Sequence, residues 1–201
     1  MIAIIDYDAG NLKSVEKALL HLGEEAIITR DREQLLQADK VILPGVGNFG
    51  DAMNKLHHYQ LVSVIREIVD QKTPFLGICL GMQVLFESSD ECKGVKGLSI
   101  LEGDILRIPD SEGLKIPHMG WNSLTIQEGA RLYRGIEQQA FVYFVHSYYL
   151  KACNSKDVVA TTHYSTLIDA SVERDNVYGC QFHPEKSGEL GLQILKNFAH
   201  L

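Results

Sequence analysis

The sequence contains no apolar run approaching the roughly 18 residues that a membrane-spanning helix needs. It has little positive charge, since 19 Lys and Arg stand against 26 Asp and Glu for a net charge of -7. Such a balance argues against a surface that follows nucleic-acid phosphates. The apolar residues 1–5 lack the basic lead-in and the small-residue cleavage site of a signal peptide. We therefore expect a cytoplasmic protein with no membrane and no nucleic-acid partner.

Cysteine is also scarce, with four residues scattered along the chain: Cys79, Cys92, Cys153 and Cys180. No two of them stand at metal-ligand spacing, and cytoplasmic proteins rarely keep disulfides. We therefore predict no metal site and no disulfide framework. Cys180 lies in an apolar strand and is expected to pack as a small hydrophobic residue. Cys92 and Cys153 have polar, loop-like neighbours and receive no role.

The first half of the chain alternates short apolar runs with amphipathic stretches. This pattern is typical of an α/β fold, in which strands joined by helices form a parallel sheet covered on both faces. Strands are predicted at residues 2–5, 26–29, 41–43 and 75–79, and helices at residues 12–22, 51–70 and 81–88.

The second half, after about residue 97, consists mostly of closely spaced strand-like runs, which predicts antiparallel pairing. These runs lie at residues 100–108, 122–126, 141–150, 158–162, 168–174 and 177–182, and a closing helix is predicted at 188–201. No linker or repeat interrupts the pattern, so we expect residues 1–201 to form one domain.

The sharpest local pattern is Gly77-Ile78-Cys79-Leu80-Gly81, where an apolar strand ends and a helix begins. It has the form of a nucleophile elbow, in which flanking glycines remove the Cβ atoms that would collide in the tight turn. The start of the helix places partial positive charge beside the sulfur and favours a thiolate nucleophile. The alternative is a buried structural cysteine next to a pair of loop glycines.

A second pattern, His183-Pro184-Glu185, directly follows the apolar run 177–182. Residues two apart in an extended segment can point the same way, so the carboxylate can orient the imidazole. Nucleophilic catalysis needs such an oriented proton carrier. The alternatives are a surface histidine in a turn or a zinc ligand, although no further ligand stands at a helpful spacing.

A third pattern, Pro44-Gly45-Val46-Gly47, ends a predicted parallel strand at the same sheet edge as Cys79. An oxyanion formed by thiolate attack needs about two N–H donors. The backbone N–H of Leu80 is one candidate, and the region around Gly47 is the other. The alternative for this segment is an ordinary tight strand-to-helix turn.

Taken together, the segments PGVG, GICLGMQ, YFVHSYY and HPE resemble the class I glutamine amidotransferases over essentially the full chain. The resemblance implies a flavodoxin-like, mostly parallel sheet with helices on both faces, plus antiparallel strands in the C-terminal half. It implies glutaminase activity through the triad Cys79, His183 and Glu185, without a metal or organic cofactor. The positions that it implies for binding substrate glutamine are Gln83, Glu87, Ser147 and Tyr148.

Within this class, the GMQ segment and His118-Met119-Gly120-Trp121-Asn122 resemble the glutaminase subunits of imidazole glycerol phosphate synthases. The likeness also covers residues 6–14 and the loop 44–50. It implies that ammonia from glutamine passes to a partner for histidine biosynthesis. That partner would be a cyclase subunit with a (β/α)8 barrel, joined in a heterodimer. The positions implied to face it are Asn11, Trp121, Asn122 and Lys186.

Three other functions stay open at this point. The chain could be the glutaminase subunit of another synthase, in the anthranilate or pyridoxal phosphate pathway, although the HMGWN and GMQ segments count against this. It could be a thiol peptidase or esterase that uses the same elbow, which glutamine specificity would distinguish. A binding module without activity would have an unreactive Cys79.

Overall fold

The protein, described over residues 1–201 by a computed structural model, is built around an eight-stranded sheet with two smaller sheets beside it. The strands are β1 (Ile2–Ile5), β2 (Ala26–Thr29), β3 (Lys40–Gly45), β4 (Phe75–Cys79), β5 (Ser88–Ser89), β6 (Gly103–Arg107), β7 (His118–Ser123), β8 (Thr125–Ile126), β9 (Phe141–His146), β10 (Tyr148–Ala152), β11 (Val158–Tyr164), β12 (Thr166–Arg174) and β13 (Val177–Cys180).

The large sheet has the strand order β2-β1-β3-β4-β13-β12-β11-β8. Its strands run parallel from β2 to β13, and the remaining three are added antiparallel. The last strand of the chain, β13, therefore lies beside β4 from the first half, with Cys180 opposite Ile78. This arrangement confirms the predicted α/β fold and brings the ends of β3, β4 and β13 to one edge of the sheet.

Helices cover both faces of the large sheet. They are α1 (Leu12–His21), α2 (Arg32–Leu36), α3 (Phe49–His58), α4 (Leu61–Asp70), α5 (Leu80–Gln83) and α6 (Gly188–Ala199). Alternation along β1 shows the two layers: Ile2 and Ile4 pack in one core with residues of α1 and α6, whereas Ala3 and Ile5 pack in the other with residues of α2, α3 and α4.

The structure differs from the predicted elements in several places, among them the predicted strand 122–126, which is divided between β7 and β8 in two different sheets. The predicted helix 51–70 is two helices, because Gln60 adopts a left-handed φ of 56° between them. The predicted helix 81–88 ends at Gln83, and α2 was not predicted. The predicted strand 141–150 is two strands, since β9 pairs with β7 whereas β10 pairs with β6. The break between them, at Ser147, transfers the chain from one small sheet to the other.

None of the helices has both the length and the apolar character required to cross a membrane.

Candidate active site

Cys79 occupies a strained turn at the end of β4. Its backbone angles, φ 53° and ψ -112°, lie in a region that residues with a side chain rarely adopt. The two flanking glycines make the turn possible: a Cβ atom on Gly81 would lie 1.7 Å from the Leu43 carbonyl oxygen, and one on Gly77 would lie 2.7 Å from the Gly81 carbonyl oxygen. The predicted elbow is therefore present, with Cys79 at the start of α5.

His183 and Glu185 form a pair in which both side chains are fully buried. His183 Nδ1 and Glu185 Oε1 are 2.8 Å apart. The carboxylate can only accept, so Nδ1 carries the proton and Nε2 is left for another partner. Nε2 makes no hydrogen bond of normal geometry, yet Cys79 lies close enough to shift the pKa of the ring. The three side chains thus stand in the order thiol, imidazole and carboxylate, which is the order that a nucleophile, a proton carrier and an orienting group require.

Charge around His183 opposes the effect of its burial. Burial alone would lower the pKa of His183, but interactions with Cys79 and Glu185 outweigh it and raise that pKa to about 9. Burial would likewise raise the pKa of Glu185, but the hydrogen bond and charge of His183 hold it below its usual value. The site therefore favours a protonated imidazole between the Cys79 sulfur and the Glu185 carboxylate.

Asn11, which was expected at the partner interface, belongs to this cluster. Only 5% of the residue is exposed. Its Nδ2 donates to Glu185 Oε1 at 3.0 Å, the same oxygen that His183 bonds. The sequence placed Asn11 in a turn before α1, and only the fold shows that α1 begins next to the loop of Glu185.

The end of β3 lies directly beside the elbow, since Gly45 pairs with Cys79. A Cβ atom on Gly45 would lie 2.3 Å from Tyr7 Oη and 2.9 Å from the backbone nitrogen of Gly81. Tyr7 Oη donates to the Pro44 carbonyl oxygen at 2.8 Å. A buried tyrosine and a required glycine thus hold this strand end against the elbow.

The two expected oxyanion donors lie at this edge in different surroundings. Leu80 is buried and begins α5 immediately after Cys79. Gly47 is exposed, has a φ of 103°, and would have no neighbour within 4 Å of an added Cβ atom. The loop after it is anchored by Glu91, whose Oε2 accepts from the backbone N–H of Phe49 at 2.8 Å. One donor position is therefore enclosed, and the other lies at the surface with open space beside it.

Gln83 is buried on α5, and both of its amide hydrogens are used within the protein. Its Nε2 donates to the Tyr148 carbonyl oxygen at 3.0 Å and to Gln181 Oε1 at 2.9 Å. Gln181 Nε2 in turn donates to Cys79 Sγ at 3.6 Å. Gln181 was not predicted from the sequence. Its position two residues before His183 in an extended segment was the available signal, because such residues share a side.

The other residues expected to bind glutamine are dispersed around this network. Glu87 is exposed, and its Oε2 accepts from the backbone N–H of Gly103 at 3.1 Å. Ser147 and Tyr148 are half-buried at the break between β9 and β10. The carbonyl oxygen of Ser147 accepts from Ile108 at 2.9 Å.

The remaining residues expected at a partner surface are accessible. Trp121 is 56% exposed on β7 and packs edge-on against Tyr143, with ring centroids 6.0 Å apart. Lys186 is exposed, and Asn122 is half-buried. Two further large apolar residues, Met119 and Phe141, are 62% and 58% exposed on β7 and β9. This apolar, solvent-facing side of the two-stranded sheet is called the β7–β9 face below.

The opposite side of β7 carries a second histidine cluster. His118 Nδ1 and His146 Nε2 are 3.0 Å apart, and His146 Nδ1 lies 2.8 Å from the Tyr148 carbonyl oxygen. The His118 ring stacks between Phe144 and Tyr164, with centroids at 4.7 Å and 4.0 Å. Burial lowers the pKa of His118 to about 4 and that of His146 to about 3. Both rings are therefore neutral at ordinary pH.

Comparison with known proteins gives consistent relatives. The family model "Glutamine amidotransferase class-I" matches residues 3–201. The chain is 50% identical over 201 residues, 100% of both sequences, to "Imidazole glycerol phosphate synthase subunit HisH" of Methanocaldococcus jannaschii. It is 52% identical to a HisH subunit of Bacillus cereus over 198 residues, covering 98% of this chain and 93% of the relative.

Solved structures share the fold at low sequence identity. A structure described as a glutamine amidotransferase superposes with a TM-score of 0.76 at 20% identity, covering 99% of this chain and 100% of that one. PurLQS from Thermotoga maritima superposes with a TM-score of 0.77 at 19% identity, covering 99% and 97%.

Proposed function

This chain belongs to the class I glutamine amidotransferase family, and on that premise we propose that Cys79, His183 and Glu185 are its catalytic triad. Its full-length similarity to HisH subunits identifies it as a glutaminase subunit of imidazole glycerol phosphate synthase, in histidine biosynthesis. The observation that carries the proposal is the strained Cys79 elbow beside a buried His183 whose Nδ1 is bonded to Glu185.

The reaction proceeds in two steps. The Cys79 sulfur attacks the side-chain amide carbon of glutamine, and the carbon–nitrogen bond breaks as His183 Nε2 gives a proton to the departing ammonia. A γ-glutamyl thioester remains on the sulfur. Water then attacks the thioester carbon with His183 as base, the carbon–sulfur bond breaks, and glutamate leaves. Glu185 keeps the His183 proton on Nδ1 throughout.

The oxyanion of each tetrahedral intermediate needs donors at the sheet edge. We assign the backbone N–H of Leu80 and the peptide at Gly47 to this role. Gln83 has no N–H left for substrate, so its Oε1 is the atom that can accept from the α-ammonium group of glutamine. Glu87, Ser147 and Tyr148 form the rest of the proposed pocket.

HisH subunits imply a cyclase partner. We assign that partner a (β/α)8 barrel and a heterodimeric association. The β7–β9 face supports this, because large exposed apolar patches mark interaction sites and aromatic residues are enriched there. Trp121, Asn122 and Lys186 are the proposed contact residues. Ammonia released at Cys79 passes to the cyclase without entering bulk solvent.

We also propose that the chain forms one domain and lies in the cytoplasm. The large sheet draws strands from both ends of the chain, which supports treating residues 1–201 as one domain. All four cysteines are free, and the nucleophile must be a reduced thiol, which supports a cytoplasmic location.

Activity is proposed to depend on the partner. The exposed Gly47 can change its peptide orientation at low cost, whereas Leu80 is fixed by α5. A loop with its donor turned away would lower the rate by about 10²–10³-fold. Partner binding would then favour the turned-in loop if it binds that conformation more tightly.

The test is ammonia release from glutamine by the chain alone, with the cyclase subunit, and with the cyclase plus its nucleotide ligand. We expect slow release alone and a large increase in kcat in the liganded complex. Full activity of the free chain would contradict the partner dependence, and no glutamine hydrolysis in any arm would contradict the function. A p-nitrophenyl ester offered in parallel separates a glutaminase from a general thiol hydrolase.

A further inference from the structure

Gln181 is a fully buried amide placed against the proposed nucleophile. It follows β13, and its backbone N–H donates to the Ala170 carbonyl oxygen at 2.8 Å. Its side chain lies between Gln83 at 2.9 Å and Cys79 Sγ at 3.6 Å, which is within reach for an N–H bond to the large sulfur atom. Burying an amide is unfavourable unless both ends are bonded, and here both ends have partners.

The direction of these bonds is set by one carbonyl group. A backbone carbonyl oxygen only accepts, so the end of Gln83 that lies 3.0 Å from the Tyr148 oxygen must be its NH2 group. The second hydrogen of that group points to Gln181, whose facing atom must be Oε1. The opposite end of Gln181 is then its NH2 group, so a donor faces the Cys79 sulfur.

The same carbonyl orients a second branch, which leads away from Cys79. His146 Nδ1 must donate to the Tyr148 oxygen, which leaves His146 Nε2 to accept from His118 Nδ1. His118 Nε2 then accepts from Asn122 Nδ2 at 3.3 Å. Both acceptor positions of the Tyr148 oxygen are thus occupied, and neither Gln83 nor the histidines can reverse without losing a bond.

We propose that Gln181 is a positioning residue for the glutaminase reaction: its Nε2–H group, locked in direction through Gln83 and the Tyr148 carbonyl, holds and stabilises negative charge on the Cys79 sulfur. The inference rests on the proposed function, because it assigns a role relative to Cys79 as nucleophile. Gln181, which follows β13, would donate to the Cys79 sulfur. The proposed oxyanion donors differ from it because they act on the substrate oxygen.

The experiment compares wild type with Gln181→Met and Gln181→Glu. Met keeps the volume and removes the donor, whereas Glu keeps the shape and replaces the donor with an anionic acceptor. Gln193→Met is the matched control, since Gln193 is a glutamine on α6 bonded to Asn197 at 2.8 Å. Iodoacetamide alkylation of Cys79 is followed by peptide mass spectrometry near pH 7, with the exposed Cys153 as the internal reference.

We expect Gln181→Met to slow alkylation of Cys79 by about 10-fold or more, the factor given by one hydrogen bond to a charged group. Gln181→Glu should slow it further, and Cys153 and the Gln193→Met protein should be unchanged. Glutamine hydrolysis in the cyclase complex should lose kcat by a similar factor with little change in KM. A structural role alone would be preserved by the isosteric Glu, so wild-type rates in Gln181→Glu would overturn the proposal.

Two outcomes distinguish this proposal from the proposed function. Wild type that neither releases ammonia nor reacts at Cys79 refutes the function; wild type that does both, with Gln181→Met equal to it, refutes only the positioning role. If the variants do not fold, the side-chain amide signals of Gln181 are assigned by NMR in the wild-type chain. They should shift on Cys79→Ala and resist hydrogen exchange, and unshifted, rapidly exchanging signals would overturn the proposal.

Discussion

His183 and the pair His118–His146 are all buried, yet the pKa of His183 is raised to about 9 while those of the pair are lowered to about 4 and about 3. Burial acts in the same direction on all three rings and disfavours the charged form. The neighbours differ: His183 lies between the Cys79 sulfur and the Glu185 carboxylate, whereas the pair is bonded to neutral groups and to each other.

Two buried sites in one fold thus differ in whether their neighbours stabilise a charged histidine. The histidine proposed to exchange protons lies between groups that stabilise its charge, and the two histidines that join β7 to β9 are neutral with fixed tautomers. The charged cluster is Cys79, His183 and Glu185, and the neutral cluster is His118 and His146. Hydrogen bonds connect both to the Tyr148 carbonyl oxygen: His146 bonds it directly, and Cys79 reaches it through Gln181 and Gln83. Altering the charged cluster should therefore change catalysis, and altering the neutral cluster should change stability.

The largest effect is expected from Cys79→Ala, which removes the proposed nucleophile from the charged cluster. Glutamine hydrolysis should fall by roughly 10⁶-fold, as when the nucleophile of a comparable triad is removed. The pKa of His183, measured by NMR titration, should fall because the sulfur contributes to its rise. Binding to the cyclase and the synthase reaction with added ammonia should continue. Glutamine hydrolysis at the wild-type rate would refute the assignment.

A smaller loss is expected from Glu185→Gln, which removes the orienting charge and keeps the shape. Orienting residues in comparable triads contribute less than the nucleophile, with a loss of roughly 10⁴-fold in kcat rather than roughly 10⁶-fold. The pKa of His183 should fall toward its ordinary value, because the carboxylate also supports the charged ring. Steady-state kinetics with the Cys79→Ala and His183→Ala proteins give the ranking. Equal losses in all three would contradict this division of roles.

The charged cluster was largely predictable from the sequence because its residues belong to short local patterns. Gly77, Gly81 and Cys79 specify the elbow by backbone sterics, and His183 and Glu185 stand two apart in an extended segment. The contact of Asn11 with Glu185 was not predicted, because it spans 174 positions and depends on where α1 starts against the sheet. Gln181 was missed because its partners come from α5 and β4.

The fold was predictable to the level of layers, and its errors have physical causes. Apolar runs correctly predicted most strands of the large sheet. The separation of 51–70 into two helices depends on a left-handed Gln60, a conformation that sequence periodicity does not reveal. The change of sheet at Ser147 leaves the strand-like pattern of residues 141–150 unbroken, so only pairing partners distinguish β9 from β10. Cys180 is fully buried, as predicted.

The neutral cluster should control stability at acid pH. In the folded protein the pKa values of His118 and His146 lie below the ordinary value of about 6.5 for histidine. The unfolded chain therefore binds more protons than the folded protein below that pH. The stability contributed is complete above about pH 6.5 and is lost as pH falls toward the folded values. His118→Phe keeps an aromatic ring between Phe144 and Tyr164 and removes one titrating group.

Urea unfolding between about pH 7 and about pH 4 measures this effect. The decrease in unfolding free energy over this range should be smaller in His118→Phe than in wild type, on the order of 3 kcal/mol. His163→Phe, at an exposed histidine, is the control and should retain the wild-type decrease. An unchanged pH dependence in His118→Phe would mean that the pair titrates normally, and the contrast with His183 would be lost.

The smallest effect on the chain itself is expected from Trp121→Ala. Trp121 lies on the exposed side of β7, whereas His118 lies on the buried side of the same strand. Large aromatic residues at the centre of an interface typically contribute about 2 kcal/mol or more, so the affinity for the cyclase should fall by roughly 30-fold. Thermal unfolding of the free chain and the NMR signals of His118 should stay unchanged, because the β7–β9 face packs against little of the core.

Leu167→Ala provides the matched control, since Leu167 on β12 is also 56% exposed. Titration calorimetry with the cyclase should show a loss for Trp121→Ala and none for Leu167→Ala. Equal affinities would place the interface elsewhere, and a shifted His118 signal would show that the two sides of β7 are coupled.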